Sequence, residues 1–293
     1  FSQDENVFVN AATSLTLDAT DERSGVDYTW FKIDDGEWMN YSSPFNLSGY
    51  DDGKHVIYYF SVDKAGHVEK MKNISVILDN TSPTTTCTPE GGTYSEAVNV
   101  VLTAVDAGCG VNETYYKMGD SGEWIKYTGQ ISIAEEGSHT IYYYSVDKLG
   151  NAEPIKSVTY IVDTTPPTLS ISINPSNPDT SQTVSFTVTV NDNIGGTGIA
   201  NINLYIDGAL VKTWTTAGTY TYTGGPYTQG EHSYYVEATD NAGNNIREPA
   251  TGTKTFTVTS PTQPTAPLEW AALAIIVVVA AAILTFIVRR GRT

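Results

Sequence analysis

The chain has 293 residues with 16 basic and 33 acidic side chains, and its formal net charge is −17 at pH 7. So acidic a surface repels phosphate backbones, which excludes nucleic acid as a favoured partner and leaves cations as the class that it attracts. The length suits two or three domains with a core each, and two cysteines are too few for a scaffold built on disulfides.

One phrase occurs three times along the chain. Residues 53–67 read GKHVIYYFSVDKAGH, residues 137–151 read GSHTIYYYSVDKLGN, and residues 230–244 read, more loosely, GEHSYYVEATDNAGN. The first glycines of these phrases are 84 and then 93 residues apart, a spacing typical of homologous domains in series. The sequence therefore predicts three repeats, at residues 1–82, 83–166 and 167–259.

Each repeat consists of short runs rich in Val, Ile, Thr and Tyr, separated by Gly, Asn, Asp and Pro. These runs indicate strands, so the predicted fold class is all-β, with three tandem immunoglobulin-like β-sandwiches. Residues 1–13 lack a clear counterpart of the first strand of the second repeat, so the first repeat is predicted to have that strand missing or displaced. In the second repeat we predict seven strands, at residues 84–88, 98–105, 114–118, 123–127, 130–133, 139–146 and 155–162.

The C-terminal region has a different composition. A Pro/Thr-rich spacer at residues 260–269 is followed by 19 apolar residues, 270–288, and then by the basic tail 289–293. As a helix this run would span roughly 28 Å, enough to cross a bilayer, and arginines favour the cytoplasmic side. The sequence thus predicts a single C-terminal transmembrane α-helix in the cell membrane, with residues 1–269 extracellular. A sorting signal that is cut off is the rival interpretation. Because the chain begins with Phe1, we also expect that its start has been cut away.

The repeats resemble a known family of surface domains. The motifs are Asp-x-x-x-Gly-Val at Asp106, Gly-Glu-Trp at Gly122, the phrase at residues 137–151, and Val-Asp-Thr-Thr-Pro-Pro at Val162. They resemble the immunoglobulin-like repeats of bacterial and archaeal surface proteins. Residues 14–166 are similar to a branch first labelled as outer-membrane repeats, and residues 167–259 to the broader bacterial Ig-like group. The resemblance implies spacers, adhesins and accessory domains of exported enzymes, and it brings no standard catalytic residues.

Catalytic chemistry has weak support in the sequence. The segment Gly119-Asp120-Ser121-Gly122 is similar to the nucleophile segment of trypsin-like proteases, but the first repeat has no serine there and a tight turn explains it better. Three histidines, His55, His139 and His232, occupy equivalent positions in different repeats, so they cannot converge on one metal. We expect each to bond a neighbouring loop. The chain is predicted not to be an enzyme.

Two other kinds of site are predicted in the loops. Cys87 and Cys109 are 22 positions apart, and an extracellular location favours a disulfide between them. No cofactor is expected. Calcium is the one candidate, because it prefers carboxylate oxygens and the loops contain several aspartates. Capping of turns explains the same aspartates without a metal ion. The residues considered for calcium lie in equivalent loops or beside the joints between repeats: Asp21, Asp106, Asp192, Asp79 and Asp163.

Surface residues supply the remaining candidates. Five Asn-x-Ser/Thr acceptors occur, and the one at Asn80 is a poor site because Pro83 follows it; the other four, which predict a glycoprotein, begin at Asn40, Asn46, Asn73 and Asn112. Four aromatic residues could stack on sugars: Trp38, Trp124, Tyr142 and Tyr144. The alternative role for these side chains is packing within the repeats. Surface glycans, neighbouring surface proteins and the membrane are therefore the predicted partners. The predicted function is a membrane-anchored stalk or adhesion protein. The alternatives are the spacer or carbohydrate-binding and anchoring region of a larger exported hydrolase, and a calcium-dependent adhesin.

Overall fold

A computed structural model describes residues 7–262, and all of its regular secondary structure there is β. The chain divides into two compact units. Unit 1 comprises Phe1–Pro167 with Asp192–Ile199 and Thr239–Asn245, and unit 2 comprises Thr168–Asn191, Ala200–Ala238 and Ile246–Thr293. The division into three repeats, with the boundaries predicted above, stays a prediction.

The first five strands of unit 1 form one sheet in the order β1-β5-β4-β2-β3, with β1 parallel to β5. Its core cluster includes Phe31, Ile57 and Leu78, and the loop residues Leu17 and Phe45 pack against it. The strands are β1 (Val7–Val9), β2 (Val26–Ile33), β3 (Met39–Asn40), β4 (Gly53–Asp63) and β5 (Lys72–Leu78).

The next eight strands of unit 1 form a sandwich of a five-stranded sheet, β10-β9-β12-β13-β7, and a three-stranded sheet, β11-β8-β6. Along β12, Ile141 and Tyr143 point into the core while Tyr142 and Tyr144 point out, as the period of two dictates. The strands are β6 (Thr84–Thr88), β7 (Gly92–Tyr94), β8 (Val98–Val105), β9 (Val111–Met118), β10 (Ile125–Lys126), β11 (Ile131–Ile133), β12 (Gly137–Asp147) and β13 (Lys156–Val162).

Unit 2 contains the last eight strands, except that Ile199, the last two residues of β19 and Asn245 of β20 count with unit 1. One sheet has the order β14-β15-β18, and the other has the order β17-β16-β19-β20 with β21 also paired to β19. Phe186, Leu204, Val236 and Val258 are among its buried residues. The strands are β14 (Thr168–Asn174), β15 (Val184–Asn191), β16 (Ile199–Ile206), β17 (Ala209–Trp214), β18 (Gly218–Gly224), β19 (Gly230–Asp240), β20 (Asn245–Glu248) and β21 (Lys254–Val258).

The predicted fold class needs one correction. Within residues 7–262 no helix is both long and apolar enough to cross a membrane. The predicted transmembrane helix at 270–288 and the tail at 289–293 lie outside the described residues. An apolar run fixes the length and polarity of a segment, but a spanning helix also requires its backbone groups to bond internally, which composition does not establish. Within residues 7–262 the class that the structure supports is all-β, with immunoglobulin-like sandwiches.

Candidate functional site

A buried aspartate follows the last strand of the second repeat. Asp163 is fully buried, and its Oδ2 atom accepts hydrogen bonds from the backbone nitrogen and the hydroxyl of Thr197, both at 2.7 Å. Its backbone carbonyl accepts a hydrogen bond from Asn244 Nδ2 at 2.6 Å. All three residues belong to unit 1. Asp163 therefore ties the end of β13 to the segments 192–199 and 239–245.

Two further carboxylates lie beside Asp163. One oxygen atom from each of Asp163, Asp192 and Asp240 lies within 4.8 Å of the others. Asp240 is 2 % exposed, and its Oδ1 atom accepts hydrogen bonds from the backbone nitrogens of Ala242 and Asn244. We call Asp163, Asp192 and Asp240 the second acidic cluster.

Two oxygen atoms at the second acidic cluster lack a hydrogen-bond donor. Asp192 Oδ2 accepts a hydrogen bond from Gly198 N at 2.6 Å, but Asp192 Oδ1 is shielded from solvent and has no partner. Asn193 Oδ1 is in the same situation. Within residues 7–262 only one other buried side-chain polar atom is unpartnered, and it is Asp106 Oδ1. Since buried polar atoms are nearly always paired, these oxygens require an explanation.

Asp106 belongs to an equivalent arrangement between the first and second repeats. Single atoms of Asp79, Asp106 and Cys109 lie within 4.8 Å of one another, and we call these residues the first acidic cluster. Asp79 Oδ2 accepts a hydrogen bond from Cys109 N at 2.7 Å, and Asn151 Nδ2 donates to the Asp79 carbonyl at 3.0 Å. A Cβ atom on Gly108 would lie 2.1 Å from Asp79 Oδ2, so only glycine permits this approach.

The predicted disulfide is wrong, because Cys87 and Cys109 are both free. Cys87 on β6 pairs with Leu102, three residues before the end of β8, and Cys109 lies beyond that end. Three residues of strand cover about 10 Å, which exceeds the ~7 Å between Cα atoms that a disulfide allows. Burial, with hydrogen bonds to the carboxylates of Asp79 and Asp147, raises the pKa of the Cys109 thiol to about 11.

The remaining aspartate considered for calcium, Asp21, lies apart from both clusters. Its Oδ2 atom accepts hydrogen bonds from the backbone nitrogens of Arg23, Ser24 and Gly25 and from the Ser24 hydroxyl. The hydrogen bonds from Gly25 and Ser24 lower the pKa of Asp21. Asp21 is exposed and closes its own loop, which is the turn-capping role weighed in the sequence analysis.

A cleft of about 350 Å³ lies beside the Asp21 loop. Its lining includes Ser61, Glu69 and Lys72, the counterparts of Ser145, Glu153 and Lys156 in the second repeat. In the second repeat those three side chains contact Thr85 of β6. The cleft therefore occupies the position of a strand equivalent to β6, and the described residues of the first repeat contain no such strand.

The three histidines at equivalent positions of the repeats have the predicted local role. His55 Nδ1 lies 2.7 Å from Asp34 Oδ2, and His232 Nδ1 lies 2.7 Å from Asp207 Oδ2. His139 has no such carboxylate and contacts the Glu135 carbonyl at 2.7 Å. Each histidine bonds a neighbouring turn, which confirms that prediction.

The pair of His232 and Asp207 gives a pH-dependent contribution to stability. The hydrogen bond to Asp207 raises the pKa of His232, and burial opposes it less strongly. Burial raises the pKa of Asp207, but the hydrogen bonds from His232 and Ser233 lower it by more, so the pKa of that carboxyl lies below its ordinary value. The contribution of His232 is therefore complete below pH ~6.5 and is lost as pH rises through its raised value.

Asp207→Asn should remove this pH dependence. Because the Asp207 side chain is 48 % exposed, we expect a loss of about 0.5 kcal/mol at pH 5.5 and almost none at pH 8.5. Urea unfolding of both proteins at the two pH values checks this, with an NMR titration to show the pKa of His232 falling in the variant. An equal loss at both pH values would contradict the prediction.

The aromatic residues predicted to stack on sugars have packing partners on the outer face of their sheets. The Trp38 ring meets Phe60 edge-on at 5.0 Å, and its exposed fraction is 37 %. Trp124, also 37 % exposed, meets Tyr144 edge-on at 4.8 Å. Lys117 Nζ lies 5.5 Å from the ring centroid of Trp124 and 5.1 Å from that of Tyr142. These contacts favour packing, and stacking on sugars stays a prediction. The four acceptor asparagines are exposed on the first two repeats: Asn40, Asn46, Asn73 and Asn112.

Comparison with known proteins identifies the class of domain. Residues 167–236 match the family model of the bacterial Ig domain. This match places a bacterial Ig domain at residues 167–236, and the paired sheets of β6–β13 and of β14–β21 are immunoglobulin-like β-sandwiches in tandem. No curated protein matches it.

Several solved structures are similar to this chain. The fibronectin(III)-like modules of Clostridium thermocellum CbhA are 18 % identical, with 60 % of this chain and 94 % of that one covered and a TM-score of 0.32. The tetra-tandem repeat from the extending region of a large adhesion protein is 19 % identical, with coverage of 86 % and 73 % and a TM-score of 0.35. A structure of a 1.5-MDa bacterial ice-binding adhesin is 16 % identical, with coverage of 87 % and 94 % and a TM-score of 0.36.

Proposed function

We propose that this protein is a non-catalytic surface protein, in which the immunoglobulin-like repeats act as an extracellular stalk or adhesion module. The observation that carries the proposal is that the same hydrogen-bonded contact occurs at both joints between repeats. A buried aspartate after the last strand of one repeat accepts hydrogen bonds from a loop of the next, at Asp79 with Cys109 and at Asp163 with Thr197. A joint bonded in this way suits a protein that holds a ligand or a neighbour at a distance.

Two further features support an extracellular role. The bacterial Ig domain matches residues 167–236, and the chain carries a net charge of −17, which favours solubility and discourages contact with nucleic acid. The alternative, an accessory region of an exported hydrolase, would be favoured by rings open to sugars. Trp38 and Trp124 are each packed edge-on against a neighbouring ring and approached by a lysine. This arrangement favours the stalk over a carbohydrate-binding module.

Labelling of intact cells tests the proposal. Antibodies raised against residues 83–166 should label the producing cells before permeabilisation, and brief protease treatment of those cells should remove the signal. A cytosolic protein of the same cells, labelled only after permeabilisation, is the control. Signal from the repeats that also requires permeabilisation would overturn the surface function.

A further inference from the structure

The cleft beside the Asp21 loop contains a network of polar side chains that is also present in the second repeat. Glu69 accepts a hydrogen bond from Ser61 N at 2.9 Å and pairs with Lys72 Nζ at 2.7 Å. The Ser61 hydroxyl lies 2.9 Å from that of Thr29. The counterparts in the second repeat form the same three contacts, at 2.8, 2.7 and 2.7 Å. The polar groups of the cleft therefore already have the arrangement that they have in the second repeat.

In the second repeat this network binds one residue of a strand. Thr85 on β6 donates its backbone nitrogen to Glu153 Oε2 at 3.1 Å, and its hydroxyl lies 2.6 Å from that of Ser145. Its carbonyl accepts a hydrogen bond from Lys156 Nζ at 2.9 Å, and the residue is 3 % exposed. The corresponding side chains of the first repeat line a cleft of about 350 Å³. The cleft thus has the polar groups that bind a threonine of an extended strand.

The backbone along one side of the cleft is also unpaired. Strand β8 pairs with β11 at one edge and with β6 at the other, where residues 102–105 lie opposite residues 84–87. Alignment of the Asp-x-x-x-Gly-Val motifs makes residues 17–20, which line the cleft, the counterpart of 102–105. Leu15 pairs with Phe45, but residues 17–20 form no hydrogen bond with another backbone group in the part of the chain that is described. An edge of this kind is a template for a further strand.

The charge of the cleft distinguishes between candidate occupants. The lining contains four carboxylates, one lysine and one histidine: Asp18, Asp21, Asp63, Glu69, Lys72 and His67. Residues 1–6 include Asp4 and Glu5 and no basic side chain, and a second copy of the chain has a net charge of −17. Both would add negative charge to an acidic surface. A strand of a different protein, with threonine and basic side chains, is the complementary occupant.

We propose that the first repeat binds an extended, threonine-containing strand of a different protein, which takes the place that β6 has in the second repeat. The threonine binds Ser61, Glu69 and Lys72, and the adjoining backbone pairs with residues 17–20. In this mode of recognition, main-chain hydrogen bonds give affinity and side chains give specificity. The inference rests on the proposed function and deepens it, because it names the kind of partner that the adhesion module holds.

Titration of the 293-residue chain with a fluorescent peptide tests the site by anisotropy. The peptide has the sequence of residues 83–88 with Cys87→Ser and one lysine added at each end. We expect a Kd on the order of 100 µM, because a short peptide loses conformational freedom on binding. Thr85→Val in the peptide should weaken binding about fivefold, since it removes the hydroxyl and keeps the shape of the side chain. Glutamate instead of each added lysine should also weaken it, by about fivefold.

Glu69→Gln in the protein should weaken binding about tenfold, because it removes the charge of the acceptor and keeps the size of the side chain. Glu37→Gln is the matched control, since Glu37 is exposed in the same repeat and lies outside the lining, and it should leave the affinity unchanged. Hydrogen exchange on the wild type needs no variant: the amides of residues 17–20 should exchange more slowly with saturating peptide. Absence of peptide binding, equal affinity in wild type and Glu69→Gln, or unchanged exchange at residues 17–20 would overturn the proposal.

Two further measurements test the other candidate occupants. If a chain without residues 1–6 bound the peptide about tenfold more tightly, those residues would be the occupant. If sedimentation showed a dimer that the peptide dissociates, a second copy would be the occupant. Either result would overturn the choice of a different protein, and we expect neither. All of these measurements use purified protein, so their failure is distinguishable from a failure of the labelling of intact cells.

Discussion

Glu153→Ala should destabilise the second repeat by about 3–5 kcal/mol, because it removes a buried carboxylate that accepts hydrogen bonds from several buried donors. The Glu153 side chain is 2 % exposed, and Lys156 Nζ lies 2.7 Å from its Oε2 atom. The Oε1 atom accepts hydrogen bonds from Ser145 N at 2.8 Å and from the Thr85 hydroxyl. Alanine would leave the buried nitrogens of Ser145 and Thr85 without acceptors.

Glu69→Ala is the matched control in the first repeat. Glu69 accepts a hydrogen bond from Ser61 N and pairs with Lys72, but its side chain is 33 % exposed and the described residues contain no counterpart of Thr85 beside it. We expect this variant to destabilise the first repeat by about 1 kcal/mol. Native-state hydrogen exchange at β12 and β4 measures each repeat separately. Equal losses in the two repeats would show that burial and Thr85 do not set the cost.

The same network should make the second repeat sensitive to acid. Burial raises the pKa of Glu153, but the bonds from Lys156 and Thr85 outweigh it, and the pKa lies below its ordinary value. A lowered pKa means that the contribution is present above the ordinary glutamate value and is lost as pH falls. The stabilising effect of Glu153 is thus complete at neutral pH, where the comparison of variants belongs.

The strands were largely predictable because alternation and turn residues are local signals. The predicted bounds of two strands in the second repeat, 84–88 and 98–105, agree with β6 and β8. Strand β7 (Gly92–Tyr94), which has three residues and pairs in parallel with β13, was not predicted. A strand this short carries no period, and its partner is distant in sequence, so local patterns do not reveal it.

The acidic clusters were predictable only in part. Equivalent positions in the repeats identified Asp79, Asp106, Asp163 and Asp192, and the structure brings them together in two pairs. Asp240 was missed because its place in the repeated phrase is explained by capping of a turn, and it does cap one. The signal that could have found it is topological: the turn after β19 and the loop after β15 lie at the same end of their sheets.

The disulfide prediction failed for a related reason. A separation of 22 positions sets the size of a loop but does not say at which level along a strand each cysteine lies. The register of β6 against β8 decides that level, and register depends on the packing of both strands against the core. Cys109 occupies the position that Thr197 has in the third repeat. The backbone nitrogen of Cys109 donates to Asp79, as that of Thr197 donates to Asp163. Its position is explained by that hydrogen bond.

Phe186→Ala should cost unit 2 about 3–5 kcal/mol, the range for deleting a buried aromatic ring. Phe186 on β15 is fully buried, and its ring lies 5.5 Å from Tyr234 on β19 and 5.9 Å from Phe256 on β21. These three rings join the two sheets of the unit, so their packing cannot relax fully around the cavity.

Leu210→Ala is the control for that variant, since Leu210 lies on β17 of the same unit and is 54 % exposed. It should change the stability by no more than about 0.5 kcal/mol. Hydrogen exchange of the central amides of β15 and β19 reports the free energy of opening of the unit in each protein. If Phe186→Ala lowered that free energy no more than Leu210→Ala, the aromatic contact between the sheets would not be what holds them together. The large expected difference follows from geometry, because the phenyl ring of Phe186 fills the space between the sheets while the side chain of Leu210 faces solvent.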